Sequence, residues 1–361
     1  MAVRNYESLD SSNDVTTTTT ILHEAIPLTG TIASGTYGEF REERNIKNYT
    51  HGMFQSVYDY PYLSSSSNHI FDITLGYDET SSLSGSTDRV MNSKKINMYN
   101  QFAQVLLGYT SSTGDGVRKF EGDLTLDSKG YMKNCFFVTF SRLLTKDQIK
   151  KGTFSISLGT GSWASPFMDG GTSTSVVLTD ASASVAGAGT VSTDGGDYGV
   201  LFDVNAKDDV GHGVVFYQAG IAVISSSVWK TTDCRGEHFN QDPVYGFQTT
   251  TASMSGSTMS SSCDAFRHRL KNLSYNNSTE INSKIYFCRV PHNKFNYSAN
   301  PTYVSGSKIV VKNQASDNPI SYVTTVGLYN SSNELLAVAK LSEPLRKDPT
   351  NDITIRVRLD Y

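Results

Sequence analysis

Three stretches decide the class of this chain: Val323-Thr-Thr-Val-Gly-Leu-Tyr-Asn330, Glu334-Leu-Leu-Ala-Val-Ala-Lys-Leu-Ser-Glu-Pro344 and Ile353-Thr-Ile-Arg-Val-Arg-Leu-Asp-Tyr361. Apolar and polar residues alternate along them, the period of a half-buried strand, and valine, isoleucine, threonine and tyrosine suit a pleated surface. Three successive strands are expected, the first two as a hairpin and the third closing its sheet. An ordered terminus has to be tied down, so this end is expected in a core or an interface.

Working outward, the composition says the same. Only 18% of the 361 residues are charged, and glycine, serine, threonine and asparagine dominate, which favours turns and strands over long helices. The expected class is mainly β (α+β): antiparallel β-sandwich-like domains with one or two embedded helices and an extended N-terminal arm. Lys plus Arg total 31 against 35 Asp plus Glu, a formal charge of -4, which argues against a nonspecific nucleic-acid binder. The N-terminal residues lack an apolar core of the signal-peptide kind, and no run of about 18 apolar residues occurs, so neither secretion nor membrane spanning is expected.

Four segments are expected. Residues 1–50 form an extended arm, with Thr16 to Thr20 too polar to build a core and ordered, if at all, against a neighbour. Residues 51–160 form an α+β domain, with strands at 70–77, 134–140 and 153–158 and a helix near 93–108. Ser93 would cap that helix and Gly108 would end it, with Ile96, Tyr99, Phe102, Ala103 and Leu106 at spacings of three and four. Thr145 to Gln148 reads as the capping box of a short helix ending at Gly152, and the Ser/Thr-rich loop before Asn92 reads as exposed. Residues 161–260 form a β-rich Gly/Ser/Thr domain or insertion of hairpins. Residues 261–361 form a helix, Ser262 to Leu273, followed by the terminal β module.

No nucleophile elbow, HExxH, phosphate loop, dinucleotide fingerprint or EF-hand loop is present. Adjacent acids such as Asp208 and Asp209, or Glu42 and Glu43, read as solvated surface. No catalytic residue, cofactor or enzyme activity is therefore expected. One metal pattern stands out. Cys234 and His238, Cys263 and His268, and Cys288 and His292 are Cys/His pairs four or five residues apart, and two such pairs would complete a tetrahedral zinc site. Cys234, His238, Cys263 and His268 are the candidates, and the commoner alternative is core cysteines beside incidental histidines. Cys135, inside an apolar strand, reads as core. The cysteines contain no CxxC and suit a reducing interior. Tyr37, Tyr58, Tyr60, Tyr62 and Trp163 could stack on a glycan, but aromatic packing in loops or at subunit contacts is the commoner use of such residues.

Several blocks carry a family resemblance: Phe295 to Tyr303, Tyr322 to Asn330, Leu335 to Ser342 and Arg356 to Tyr361, with Tyr58 to Thr74, Lys94 to Gln101 and Phe137 to Gly152 upstream. They resemble virion structural proteins of tailed bacteriophages, of the T-even-like marine and cyanobacterial myophage type. The likeness covers about half the chain in patches, leaving 159–283 unmatched. It implies a non-enzymatic subunit made in the host cytoplasm and built into the virion, in the contractile-tail baseplate wedge. Its partners would be copies of itself and other tail proteins, without nucleic acid or membrane. A neck or collar position near the portal, or a receptor- or glycan-binding tail adhesin, is the alternative.

Overall fold

The computed structural model describes residues 6–31, 44–81, 83–85, 89–109, 118–120, 132–161, 166–169, 171–184, 190–205, 211–229, 258–298, 303–305, 308–309, 314, 316 and 318–361. In chain order these form β1 (Val15–Ile26), β2 (Ile46–Asn48), β3 (Gln55–Tyr58), β4 (His69–Tyr77), α1 (Arg89–Leu107), β5 (Asn134–Phe140), α2 (Arg142–Thr145), β6 (Gln148–Ile149) and β7 (Ser155–Gly159). There follow β8 (Met168–Asp169), β9 (Thr172–Ser173), β10 (Ser175–Thr179), β11 (Thr190–Thr193), β12 (Gly196–Asp203), β13 (Gly211–Phe216), β14 (Ile221–Ser225) and α3 (Met259–His268). The last elements are β15 (Leu270–Val290), β16 (Val304–Ser305), β17 (Lys308–Ile309), β18 (Ser321–Tyr329), β19 (Leu335–Lys347) and β20 (Ile353–Asp360). The fold is mainly β, and every strand pair with a resolved register is antiparallel.

The chain divides into two compact units, residues 22–279 and residues 1–21 with 280–361. In the larger unit, β7, β10, β12, β13, β14, β5, β4, β3 and β2 lie side by side in that order. Strand β5 shows why Cys135 to Val138 is an unbroken apolar run: both faces of the strand are buried there. Cys135 and Phe137 face the layer that holds Tyr99, Ala103 and Leu106 of α1. Phe136, Val138 and Phe140 face the layer that holds Cys263 and Phe266 of α3. Ring contacts fix both helices: Phe102 stacks on Phe137 with centroids 4.2 Å apart, and Phe136 on Phe266 at 5.0 Å. Phe140 also meets Phe154 at 5.9 Å and Tyr275 at 5.2 Å, from the opposite end of the strand order, so the sheet curls over α3.

Close helix seating needs glycine. A Cβ on Gly76 would lie 2.6 Å from the Lys95 carbonyl oxygen and 2.7 Å from the Tyr99 nitrogen, and overlap with backbone atoms cannot be relieved by a rotamer change. Behind the core, the buried Asp180 carboxylate accepts from Gly152 N (2.7 Å), Phe154 N (2.9 Å) and the Tyr217 hydroxyl (2.8 Å). Burial nevertheless raises the Asp180 pKa above its ordinary value, outweighing those donors.

Several expectations are corrected by tertiary pairing. Residues 51–160 and 161–260 are not separate bodies, because β5 lies between β4 and β14 in one sheet. Thr145 to Gly152 is not a helix: α2 stops at Thr145, Lys146 takes φ 55°, and Gln148 and Ile149 pair with Ser278 and Asn277 of β15. The helix expected over Ser262 to Leu273 is α3, which ends at His268, and Leu270 and Leu273 belong to β15, opposite Leu158 and Ile156. Helix α1 starts at Arg89, before Ser93, and closes at Gly108 (φ 98°) as expected. Asp78, Ser81 and Leu83 in the segment read as an exposed loop are buried. The Thr-rich stretch is strand β1, joined to β15 of its own chain.

Candidate assembly surface

The terminal module, within residues 1–21 and 280–361, is two ribbons packed face to face. β15 pairs with β20 from Ser283↔Asp360 to Val290↔Ile353, placing Tyr286 and Cys288 beside Val357 and Ile355. The β18–β19 hairpin covers that face with Val323, Val326, Leu328, Ala337, Ala339 and Leu341. Alternation dictates this: Ile353, Ile355, Val357 and Leu359 share one face of β20, while Thr354, Arg356 and Arg358 take the other. The third strand thus faces the hairpin across a small core instead of extending its sheet, because its backbone partner is β15.

Near its turn the hairpin carries exposed apolar side chains. Leu336 is 68% exposed, Val338 52% and Leu335 51%, while Tyr322, 60% exposed, lies at the other end opposite Arg346. Gly327 lies under the Tyr329 ring, where a Cβ would come within 2.9 Å of Cε2. Tyr6 meets Tyr329 edge-on with centroids 5.1 Å apart. The segment before β1 is tied to the module by Glu7 and Lys294, 2.6 Å apart, and by Asp14 Oδ1 and Arg289 Nε, 2.8 Å apart. The second contact lies outside hydrogen-bond geometry, so it is a coulombic pair, and a partly exposed pair of this kind contributes about 0–1 kcal/mol. Between this segment, β15 and β18 runs a cleft of about 1100 Å³, lined by Leu9, Cys288, Phe295, Val326, Leu328 and Ile355 among others.

One cation organises the module's loop. Lys347 is fully buried, and its Nζ donates to the carbonyls of His292 (3.2 Å) and Asp348 (2.8 Å) and to Asn296 Oδ1 (2.7 Å). Three oxygen acceptors replace its hydration shell. At the sheet edge, the Ser283 hydroxyl (2.6 Å) and Arg358 Nε (2.7 Å) donate to Asp360 and hold its carboxyl below the usual range. Sequence reasoning passed over Lys347. Its neighbours Arg346 and Asp348 are charged, so the local sequence reads as solvated surface and carries no sign of a buried lysine.

The zinc candidates are not brought together by what the structure describes. Cys234 and His238 lie outside the described residues, as do Trp163, Tyr37, Glu42, Glu43, Asp208 and Asp209. Cys263 and His268 are five apart on α3, about 140° around the helix, so they do not share one ligand-facing side. Cys263 points its thiol at the Ile73 carbonyl (3.4 Å) in the core, and burial raises its pKa strongly. Cys135 is likewise core, with its Sγ 3.4 Å from the Met132 carbonyl. Cys288 faces the cleft with its thiol pKa raised, first by burial and then by Asp14, which disfavours the thiolate a metal or electrophile needs. Among the described residues no group of three or more His, Cys, Asp or Glu is placed to hold a metal, and no helix is long and apolar enough to cross a membrane. Of the glycan-stacking candidates, Tyr58 packs between Tyr62 and His69, and Tyr60 is 47% exposed.

No family model matches this chain, and no curated protein or solved structure matches it either.

Proposed function

We propose that this protein is a non-enzymatic structural subunit of a tailed-bacteriophage virion, built into the contractile-tail baseplate and assembling with copies of itself and with other tail proteins. One observation carries the assembly role: near its turn, the β18–β19 hairpin exposes Leu335, Leu336 and Val338 close together on an ordered scaffold. Contiguous exposed apolar surface of this kind marks a place where another protein sits. The resemblance of the terminal and upstream blocks to virion structural proteins supports the particle, and the baseplate position rests on that resemblance alone.

The test has two parts. Replacing Leu336 and Val338 with aspartate should leave the melting curve unchanged, because both side chains are already exposed, while weakening association of the purified chain about tenfold or more in sedimentation equilibrium. Antibody labelling of tailed particles from the virus that encodes the chain should mark the baseplate end. Unaltered association together with unlabelled particles would overturn the reading.

A further inference from the structure

We propose that two copies of this chain pair antiparallel through the free edge of β1, about a two-fold axis at Thr18. The proposal deepens the assembly reading above and shares its premise that copies of the chain meet.

Strand β1 is unusual in its exposure. From Thr16 to Ala25 every side chain is exposed, on both faces of the strand. Its backbone is joined to β15 on one side, and among the described residues the other edge has no partner. Two contacts show which backbone groups point where. Phe287 N donates to the Asp14 carbonyl, and Glu24 N donates to Asn277 Oδ1. Residues of even number therefore turn their N–H and C=O toward β15, and Val15, Thr17, Thr19 and Ile21 turn theirs outward.

Unpaired strand edges are usually blunted by lysine, proline or a bulge. Val15 to Leu22 contains no charge and no proline. The stretch also reads almost the same in both directions: Val15, five threonines, Ile21. A two-fold axis at Thr18 sets Val15 opposite Ile21, Thr16 opposite Thr20 and Thr17 opposite Thr19. Matching β-branched pairs then fall at every position, which is what an isologous contact requires. Moving the axis by one residue to Thr19 sets Thr16 against Leu22 and Val15 against His23, and the match is lost.

The backbone agrees with the side chains. With the axis at Thr18, the outward-turned residues 15, 17, 19 and 21 meet one another as hydrogen-bonded pairs, giving about eight inter-chain N–H···O bonds. Thr18 meets its own copy as a non-hydrogen-bonded pair. The turn at residues 10–14, closed by Asp14 N donating to the Asp10 carbonyl (2.7 Å), ends the paired segment on one side.

The test uses the full chain and five single variants, Thr16→Cys through Thr20→Cys, under mild thiol oxidation, with the unsubstituted chain as the baseline for native thiols. Facing Cα atoms at Thr18 would stand about 4.5 Å apart, within disulfide range. Thr18→Cys should therefore give covalent dimer about tenfold above Thr17→Cys or Thr19→Cys. Mixing Thr16→Cys with Thr20→Cys should link the two, although neither links to itself. Uniform linking, or none above baseline, would overturn the pairing. Thr19→Pro removes an outward N–H together with the Thr19 hydroxyl that donates to Asn282 Oδ1 (2.9 Å). Compared with Thr19→Val, which loses only the hydroxyl, it should weaken dimerisation about tenfold while leaving the circular dichroism melt in place, and equal association of the two variants would also overturn the pairing. The two proposals fail separately. If aspartate at Leu336 and Val338 abolishes association while Thr19→Pro does not, β1 pairing is wrong and the hairpin-based assembly reading stands. Thr18-specific linking of a chain that is absent from tailed particles would leave the pairing intact and remove the virion reading.

Discussion

Gly76→Ala is expected to loosen the seat of α1 on the sheet. The added methyl would stand 2.6 Å from the Lys95 carbonyl oxygen, 2.7 Å from Tyr99 N and 3.0 Å from Tyr99 Cα. All three are backbone atoms, so relief requires the helix to move, by about 0.8 Å to bring the first contact out to the 3.4 Å of ordinary packing. The helix is poorly placed to yield. Phe102 is stacked on Phe137, and the Tyr99 hydroxyl bridges the Met132 carbonyl and Phe120 N at 2.9 Å each. At its other end, the Leu106 backbone lies against Gly195, where a Cβ would come within 2.7 Å. Overpacking of this kind costs about 1–3 kcal/mol, and the rigidity of the neighbours places this site toward the upper end. Urea denaturation followed by tryptophan fluorescence should show the loss as a lower midpoint at unchanged slope, and the melting temperature should fall on the order of 5 °C. Gly85→Ala is the control, because nothing lies within 4 Å of its added Cβ. If Gly76→Ala lies within about 0.5 kcal/mol of wild type, as a neutral surface change would, the close-seating argument is wrong.

Two further outcomes follow from buried polar groups. Lys347→Met keeps the apolar stem but removes the donors to His292, Asn296 and Asp348. It should cost about 1–3 kcal/mol and speed amide hydrogen exchange across residues 292–296, whereas unchanged exchange would deny Lys347 its tethering role. Asp180 has a pKa raised by burial, so its folded form binds the proton more tightly than the unfolded chain does. Its contribution is full below the ordinary carboxylate pKa of about 4 and is lost as pH rises through the folded value. The stability of Asp180→Asn relative to wild type should therefore improve with rising pH over that window, and a pH-independent difference between the two denaturation series would contradict the assignment.

Much of the β framework was legible from local pattern. The run at 134–140 became β5 without a change of bounds, and the alternation at 353–359 became β20 with its apolar face inward. Gly108 closed α1 as a C-terminal glycine should, and Tyr99, Ala103 and Leu106 of the expected stripe are buried. What failed were segments whose local pattern suited one state while a distant partner imposed another. Leu270 and Leu273 have spacing a helix could use, but each is opposite a residue of β7. Thr16 to Thr20 are too polar for a core, yet threonine has high strand propensity, and the neighbouring β15 supplies the hydrogen bonds a lone strand lacks. The candidate surface was half visible: the hairpin could be read, while its cover by β15 and β20, the buried Lys347 and the cleft beside Cys288 could not.

Sequence by itself determined the class and the local elements, because alternation, turn glycines and β-branched content act over a few residues and need no knowledge of the rest of the chain. It also set the near-palindrome of β1, which exists in the order of residues whatever the fold. Only the tertiary structure decided which strands became neighbours, which hairpin side chains stayed exposed and that, among the described residues, one edge of β1 has no partner. Those depend on contacts between residues as far apart as Asp14 and Phe287, whose pairing is set by the competition of all strands for partners and leaves no local signature.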